Sequence, residues 1–235
     1  STNVLDDAAL RRTVDLASRL ARLAPEDPEL MPELGPQAYE AVDAFVEAPA
    51  DLDAEARAEA IGRAIGAATA AGKAAGTIFA AGYLEANTRA IAVATSHGLF
   101  AYHRTTDADF SVTAGTPDGT GSGWARGGAR DWNAVDPVAI GRIAAQKAVA
   151  SRNPSEIPPG LHTAVLEPQA VTDLVPLLAG ALSARNADEG RSAFSKAGGG
   201  TRIGDKVTDE RVTLYSDPAD AGLRGQPFDA EGRIE

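Results

Sequence analysis

The stretch Thr77-Ile-Phe-Ala-Ala-Gly-Tyr-Leu-Glu-Ala-Asn-Thr88, Arg89-Ala-Ile-Ala-Val-Ala-Thr-Ser-His-Gly98, Leu99-Phe-Ala-Tyr-His-Arg-Thr-Thr-Asp-Ala-Asp-Phe-Ser-Val-Thr-Ala114 decides the fold. It is rich in β-forming residues, alternates in polarity, and is punctuated at Asn87 and at His97-Gly98. That pattern predicts three strands joined by short connections at those two places, an antiparallel meander. A Gly-rich turn follows at Thr116 to Trp124, and a fourth strand is expected from Trp124 to Ala129. Helical patterns flank this β block on both sides, so the expected class is α+β.

Upstream, Leu5 to Leu23 carries apolar residues at helical spacing, with Asp6 and Asp7 placed where acids meet the positive end of a helix dipole. Residues 25–36 hold four prolines and read as a loop. Asp51 to Gly76 is an Ala-rich helix with Leu52, Ala56, Ile61, Ile65 and Ala68 on one face. Its N-cap is expected at Asp51 or Asp53 and its stop at Gly72 or Gly76. Small side chains along it permit close approach of a neighbour.

Downstream, Asp136 to Arg152 is amphipathic, with Ile140, Ile143, Ala144 and Val149 inward. A Pro- and Ser-rich linker, Ser151 to Gly160, marks a boundary. The expected division is a helical and antiparallel-sheet domain over residues 1–155, then the beginning of a second, α/β domain over 156–235. The second would open with a strand (His162 to Glu167), a helix (Pro168 to Ala184), a polar loop (Arg185 to Val207, expected to be mobile) and a strand (Val212 to Ser216).

With 235 residues, 44% of them hydrophobic, and 24 glycines, the chain can bury a core and does not read as disordered. A net charge of −11 argues against sequence-independent binding to nucleic acid, which needs a basic face. There is no cysteine, which removes disulfides and thiolate metal sites and sits easily with a cytoplasmic setting. No apolar run is long enough to span a bilayer, so no membrane association is expected.

Three histidines are present. His97 reads as a turn residue bonding its own loop, His103 as a partly exposed sheet residue, and His162 as a strand cap or solvent-facing group. None pairs with another at a helical spacing that would aim two imidazoles at zinc. The glycines of Ala197 to Gly204 lack the Lys-Ser/Thr ending of a phosphate loop and read as a tight turn. In Gly190-Arg-Ser-Ala-Phe194, Ser192 has no histidine with a claim to activate it. Asp229 and Glu231 of Phe228-Asp-Ala-Glu-Gly232 carry two readings. One makes them ligands of a substrate amine or a general acid/base pair. The other is a turn in which Asp229 caps local amides and Gly232 supplies a positive φ.

The order Leu161 to Ser183, Gly190 to Phe194, Asp217-Pro218 and Phe228 to Gly232 resembles the TldD/TldE family, also called PmbA or modulator of DNA gyrase. In its metalloprotease members, the helix after the first strand of the second domain carries His-Glu-x-x-x-His. The corresponding helix here, Val171 to Ser183, has no histidine, so the chain resembles a TldE-type member.

The resemblance implies a two-component zinc peptidase acting on peptides or unfolded polypeptide. The zinc is then expected only in a TldD-like partner, with no cofactor, metal ligand or catalytic residue in this chain. Its partners would be that paralogue, or a second copy in a homodimer, and a peptide substrate. Arg191, Ser192, Phe194, Asp229, Glu231 and Gly232 are then the candidates for the peptide cleft, with the Gly190 to Phe194 loop offering backbone hydrogen bonds to an extended chain. Family members begin earlier and continue past Gly232, so the resemblance also implies a fragment.

Overall fold

The computed structural model describes residues 1–47, 52–220, 222 and 225–234. Helix α1 spans Asp7–Leu23 and is capped by Asp6, whose carboxylate accepts from Ala9 N at 2.7 Å. Only Ala9 of α1 is buried, so its apolar stripe remains open. Helix α2 spans Ala54–Gly72, capped by Asp53, and ends in a short 3₁₀ turn, Lys73–Ala75, before Gly76 at φ 97°. The alternative cap, Asp51, lies outside the described residues.

Strands β1 (Phe79–Ala94), β2 (Phe100–Gly115) and β3 (Ser122–Ala129) form an antiparallel sheet in sequence order, and helix α3 (Pro137–Ala150) follows under an Asp136 cap. Helices α4 (Pro168–Ala181) and α5 (Ala184–Asp188) complete the regular elements described. The fold is α+β.

Several expectations change. Asn87 is not a turn: it lies in the middle of β1, opposite Asp107, and its amide donates to Glu85 (2.8 Å) and Asp107 (3.3 Å). Those bonds satisfy a side chain that otherwise favours turns, so the two upstream strands are one strand of 16 residues. His162 to Glu167 and Val212 to Ser216 are not strands; both are irregular and exposed. Alternation is a property of the sequence, but a strand needs a neighbour to take its N–H and C=O groups, and none lies beside either among the described residues. The loop expected after α4 contains helix α5 instead.

The β1–β2 ladder runs without a bulge from Phe79↔Gly115 to Ala94↔Phe100. With a side-chain period of 2, even-numbered residues of both strands share one face and odd-numbered residues the other. The even face buries Ala108, Phe110, Val112 and Ala114, the last three beneath α2 and α3 with Leu84 half-buried beside them. Nearer the hairpin tip the odd face is covered: Ile91, Val93, Leu99 and Ala101 pack with Leu34, Tyr39 and Phe228. His103 belongs to this second face and is only 7% exposed, against the expectation of a partly exposed residue. The sheet therefore supports two cores, one on each face.

The larger core is built from small residues. In α2 the buried positions are Ala60, Ala64, Ala68 and Gly72, spaced by four, whereas Ile61 and Ile65 stay 40% and 45% exposed. The inward face is the alanine stripe, not the expected isoleucine stripe. The cause is α3: a Cβ added to Gly141 would stand 2.2 Å from Ala64 O. On the sheet side, a Cβ at Gly123 would meet Ala144 O at 2.2 Å. Larger side chains would hold these backbones apart. Ile143 accordingly turns outward while Ile140, Ala144, Ala145 and Ala148 are buried.

Gly141→Ala should therefore lower the unfolding free energy by about 1–3 kcal/mol through overpacking. Gly62→Ala, on the same pair of helices with nothing within 4 Å of the new Cβ, should raise it by about 0.5–1 kcal/mol through helix propensity. Chemical denaturation of both variants reads the two signs.

Candidate functional site

Several long-range bonds gather the candidate region at the tip of the β1–β2 hairpin. Thr95 Oγ1 donates to Leu34 O (3.0 Å), and Ser96 Oγ donates to Glu33 (3.2 Å). His97 Nδ1 lies 3.0 Å from the same Glu33 carboxylate, so His97 clasps the Pro-rich loop rather than only its own turn. These bonds, His97 first, hold the Glu33 carboxyl below its ordinary pKa. On the other side, Phe228 is 1% exposed, with its ring centroid 5.2 Å from that of Tyr39, and Tyr39 OH donates to Gly232 O at 2.6 Å.

The Phe228 to Gly232 loop is a closed turn. Asp229 N donates to Arg233 O (2.9 Å), and Asp229 Oδ1 accepts from Glu231 N (2.8 Å) and Arg233 N (2.9 Å). The backbone bond from Arg233 leads the causes that keep the Asp229 carboxyl below its ordinary pKa. Gly232 sits at φ 83°, and a Cβ there would approach Leu99 to 2.8 Å. Asp229 and Gly232 are thus committed to the turn. Glu231 points outward, paired with Arg233 at 2.8 Å.

Between this turn, the 27–34 loop, Val93 and Arg185 runs an open groove of about 560 Å³, into which Glu231 and Arg233 project with Asp27, Glu29 and Glu33. Arg185 bridges its rim, bonding Glu29 at 2.7 Å and Glu189 at 2.9 Å. Arg191 bonds the same Glu189. Of the residues singled out in sequence, only Glu231 lines the groove. Arg191 reaches it through Glu189 and Arg185, while Ser192 and Phe194 lie outside its lining.

Ser192 Oγ donates to Ala181 O at 2.6 Å and accepts from Phe194 N at 3.1 Å, tying the loop to the end of α4. Phe194 O accepts from Arg202 N at 2.8 Å, inside a glycine turn where Gly198, Gly199 and Gly200 all have positive φ. Sequence reading missed Tyr39, Glu29 and Arg185. Each acts on a residue far along the chain, and no local pattern marks such contacts.

His103 is buried against Phe228 (ring centroids 6.5 Å, edge-on), and desolvation holds its imidazole below the ordinary pKa. His162 Nε2 lies 2.8 Å from Pro158 O, bent back on its own linker.

The site is thus an acidic groove at one end of an α+β body, and among the described residues no cluster of three or more His, Cys, Asp or Glu is arranged to hold a metal. Residues 47–152 match the PmbA/TldA metallopeptidase central domain and residues 159–234 the PmbA/TldA metallopeptidase C-terminal domain, so the chain belongs to the PmbA/TldD family. No curated protein matches it. A crystal structure from Thermotoga maritima MSB8, of a proposed modulator of a DNA gyrase, shares the fold. The two agree with a TM-score of 0.73 at 20% identity, over 99% of this chain and 52% of that one. The chain thus spans about half the length of that relative.

Metallopeptidase chemistry calls for a metal, and the donor set can be tested on α4. Its sequence, PQAVTDLVPLLAGA, offers one carboxylate, Asp173, and no imidazole. A catalytic zinc takes three protein ligands from His, Glu, Asp or Cys. This helix does not fit one. No helix among the described residues is long and apolar enough to cross a membrane.

Two measurements check this geometry. Phe228→Ala should cost about 3–5 kcal/mol and expose the 225–234 segment to limited proteolysis. In the second, Glu33, Asp229 and Asp118 (the last held low first by Thr116, then by Arg152) all have depressed folded pKa values. Their contribution is therefore full above the unfolded carboxylate pKa of about 4 and is lost as pH falls through the folded values. Melting temperature should decline gently from about pH 7 to 5, where the unfolded chain protonates His103 and the folded chain resists it, and fall more steeply below about pH 4; Asp118→Asn should blunt the steeper fall.

Proposed function

We propose that this chain is the non-catalytic, TldE-like subunit of a TldD/TldE-type zinc peptidase that processes peptides or unfolded polypeptide. The observation that supports the reading is α4, which the sequence resemblance aligns with the metal-binding helix of the catalytic members and which presents one carboxylate and no imidazole. Ser192 and Asp229, the other groups with chemical potential, are spent on backbone hydrogen bonds. The chain would contribute cleft wall and partner surface, with zinc supplied by a TldD-like paralogue. Its groove sets Asp27, Glu29, Glu33 and Glu231 against Arg185 and Arg233, and the excess of acid suits extended peptides carrying positive charge. A cytoplasmic setting is consistent with the absence of cysteine.

The test is cleavage of an unstructured peptide by the full-length protein, alone and mixed with a paralogue bearing His-Glu-x-x-x-His. Activity only in the mixture, abolished by a chelator, is the expected result. Activity of the protein alone would overturn the reading. No activity in either, with binding retained, would make the chain a regulator that engages protein without proteolysis.

A further inference from the structure

His103 is a buried ionisable group to which the groove gives no part. Its Nε2 is buried and has no hydrogen-bond partner among the described residues, although a buried imidazole ordinarily satisfies its nitrogens. The Phe228 ring covers it edge-on, with centroids 6.5 Å apart. That same ring packs on Tyr39, whose hydroxyl holds Gly232 O. The imidazole thus sits against the anchor of the 225–234 segment, from which Glu231 and Arg233 enter the groove. These groups are covered by one another, so the contact needs no open surface.

The surroundings suit a neutral ring and not a charged one. After β3, Arg130 turns its charge toward this face; its Nε and Nη2 are buried without an acceptor among the described residues, and Nη1 donates to Asp43 O at 2.9 Å. From the 37–45 segment, the Glu40 and Asp43 carboxylates share a cavity wall with His103 and Phe228. Both residues are exposed, so water screens them. On the sheet, Ile91 stands opposite His103, Arg89 at the diagonal is exposed, and Asp107 is bonded to the Asn87 amide. Desolvation is the leading obstacle to a proton, the Gly225 backbone favours the charged ring, and Arg130 opposes it. Desolvation prevails.

We propose that His103 is a proton-operated latch: neutral, it keeps Phe228 seated, and protonated, it draws in water, displaces Phe228 and loosens 225–234 from the hairpin. In the loosened form the hydrated imidazole takes its proton near the ordinary value of about 6.5, whereas the closed form resists it. The loosened form binds more protons, so closure is at full strength above about pH 6.5 and weakens as pH falls. From pH 7.5 to 5.5 the ratio of loosened to closed forms rises by up to about tenfold. The latch is a property of the fold and does not rest on the peptidase reading; its test records exchange, not cleavage.

Hydrogen exchange of the full-length protein tests it, read as protection factors so that the intrinsic pH dependence of exchange divides out. Between pH 7.5 and 5.5 the protection of 225–234 should fall by up to about tenfold, while that of 108–114 in β2 holds. The fall should set in near pH 6.5 and level off where NMR of the histidines shows His103 charged. His103→Leu should abolish it. His97→Gln should not, although His97 bonds Glu33 on the opposite wall. If the leucine variant fails to fold, the match between exchange and the His103 titration decides alone. The proposal is overturned if 225–234 keeps its protection while His103 becomes charged, if His103→Leu still loosens with pH, or if His97→Gln removes the effect.

Discussion

The ladder between β1 and β2, 16 residues on each strand and free of bulges, is the constraint to which every other part of the molecule is fitted. Because side chains alternate strictly along it, one set of residues faces α2 and α3 and the other faces the Pro-rich loop and the 225–234 segment. Two cores on opposite faces of one hairpin follow without any further device. A single inserted residue would exchange the faces on one side of the insertion and expose both cores. The Asn87 amide, bonded to Glu85 and Asp107 across the pair, keeps the ladder intact where a break is most expected.

Packing above the even face depends on having almost nothing to pack. Ala64 against Gly141 and Gly123 against Ala144 bring backbones close, so α2, α3 and β3 form a dense layer with few large side chains. Such contacts gain dispersion energy at short range and leave little room for substitution. The same arrangement turns Ile61 and Ile65 outward. This is why α2 borders an apolar groove at the sheet edge.

The candidate site grows from the odd face. Phe228 anchors one wall, Tyr39 fixes Gly232, and His97 with Ser96 fixes Glu33, so three segments distant in sequence meet at the hairpin tip. What they enclose is an acidic groove with a structural turn at its edge. It recruits neither the serine of Gly190 to Phe194 nor any ligand from α4 for chemistry.

The sequence by itself determined the α+β class, the α1, α2 and α3 helices, Asp53 as one of two candidate caps for α2, β3, the hairpin turn at His97-Gly98, and the family. These rest on local periodicity, capping chemistry and motif order, which act over a few residues. The turn at Asp229 to Gly232 was also legible as one of two readings, because its hydrogen bonds span only four residues. Tertiary structure alone decided that β1 is one strand, that the alanine stripe of α2 faces inward, and that His103 is buried. It alone decided that Glu29, Arg185 and Tyr39 border the site. Each of those outcomes turns on a partner between about 10 and 200 positions away, and a chain read in order carries no record of which distant residues will share a face.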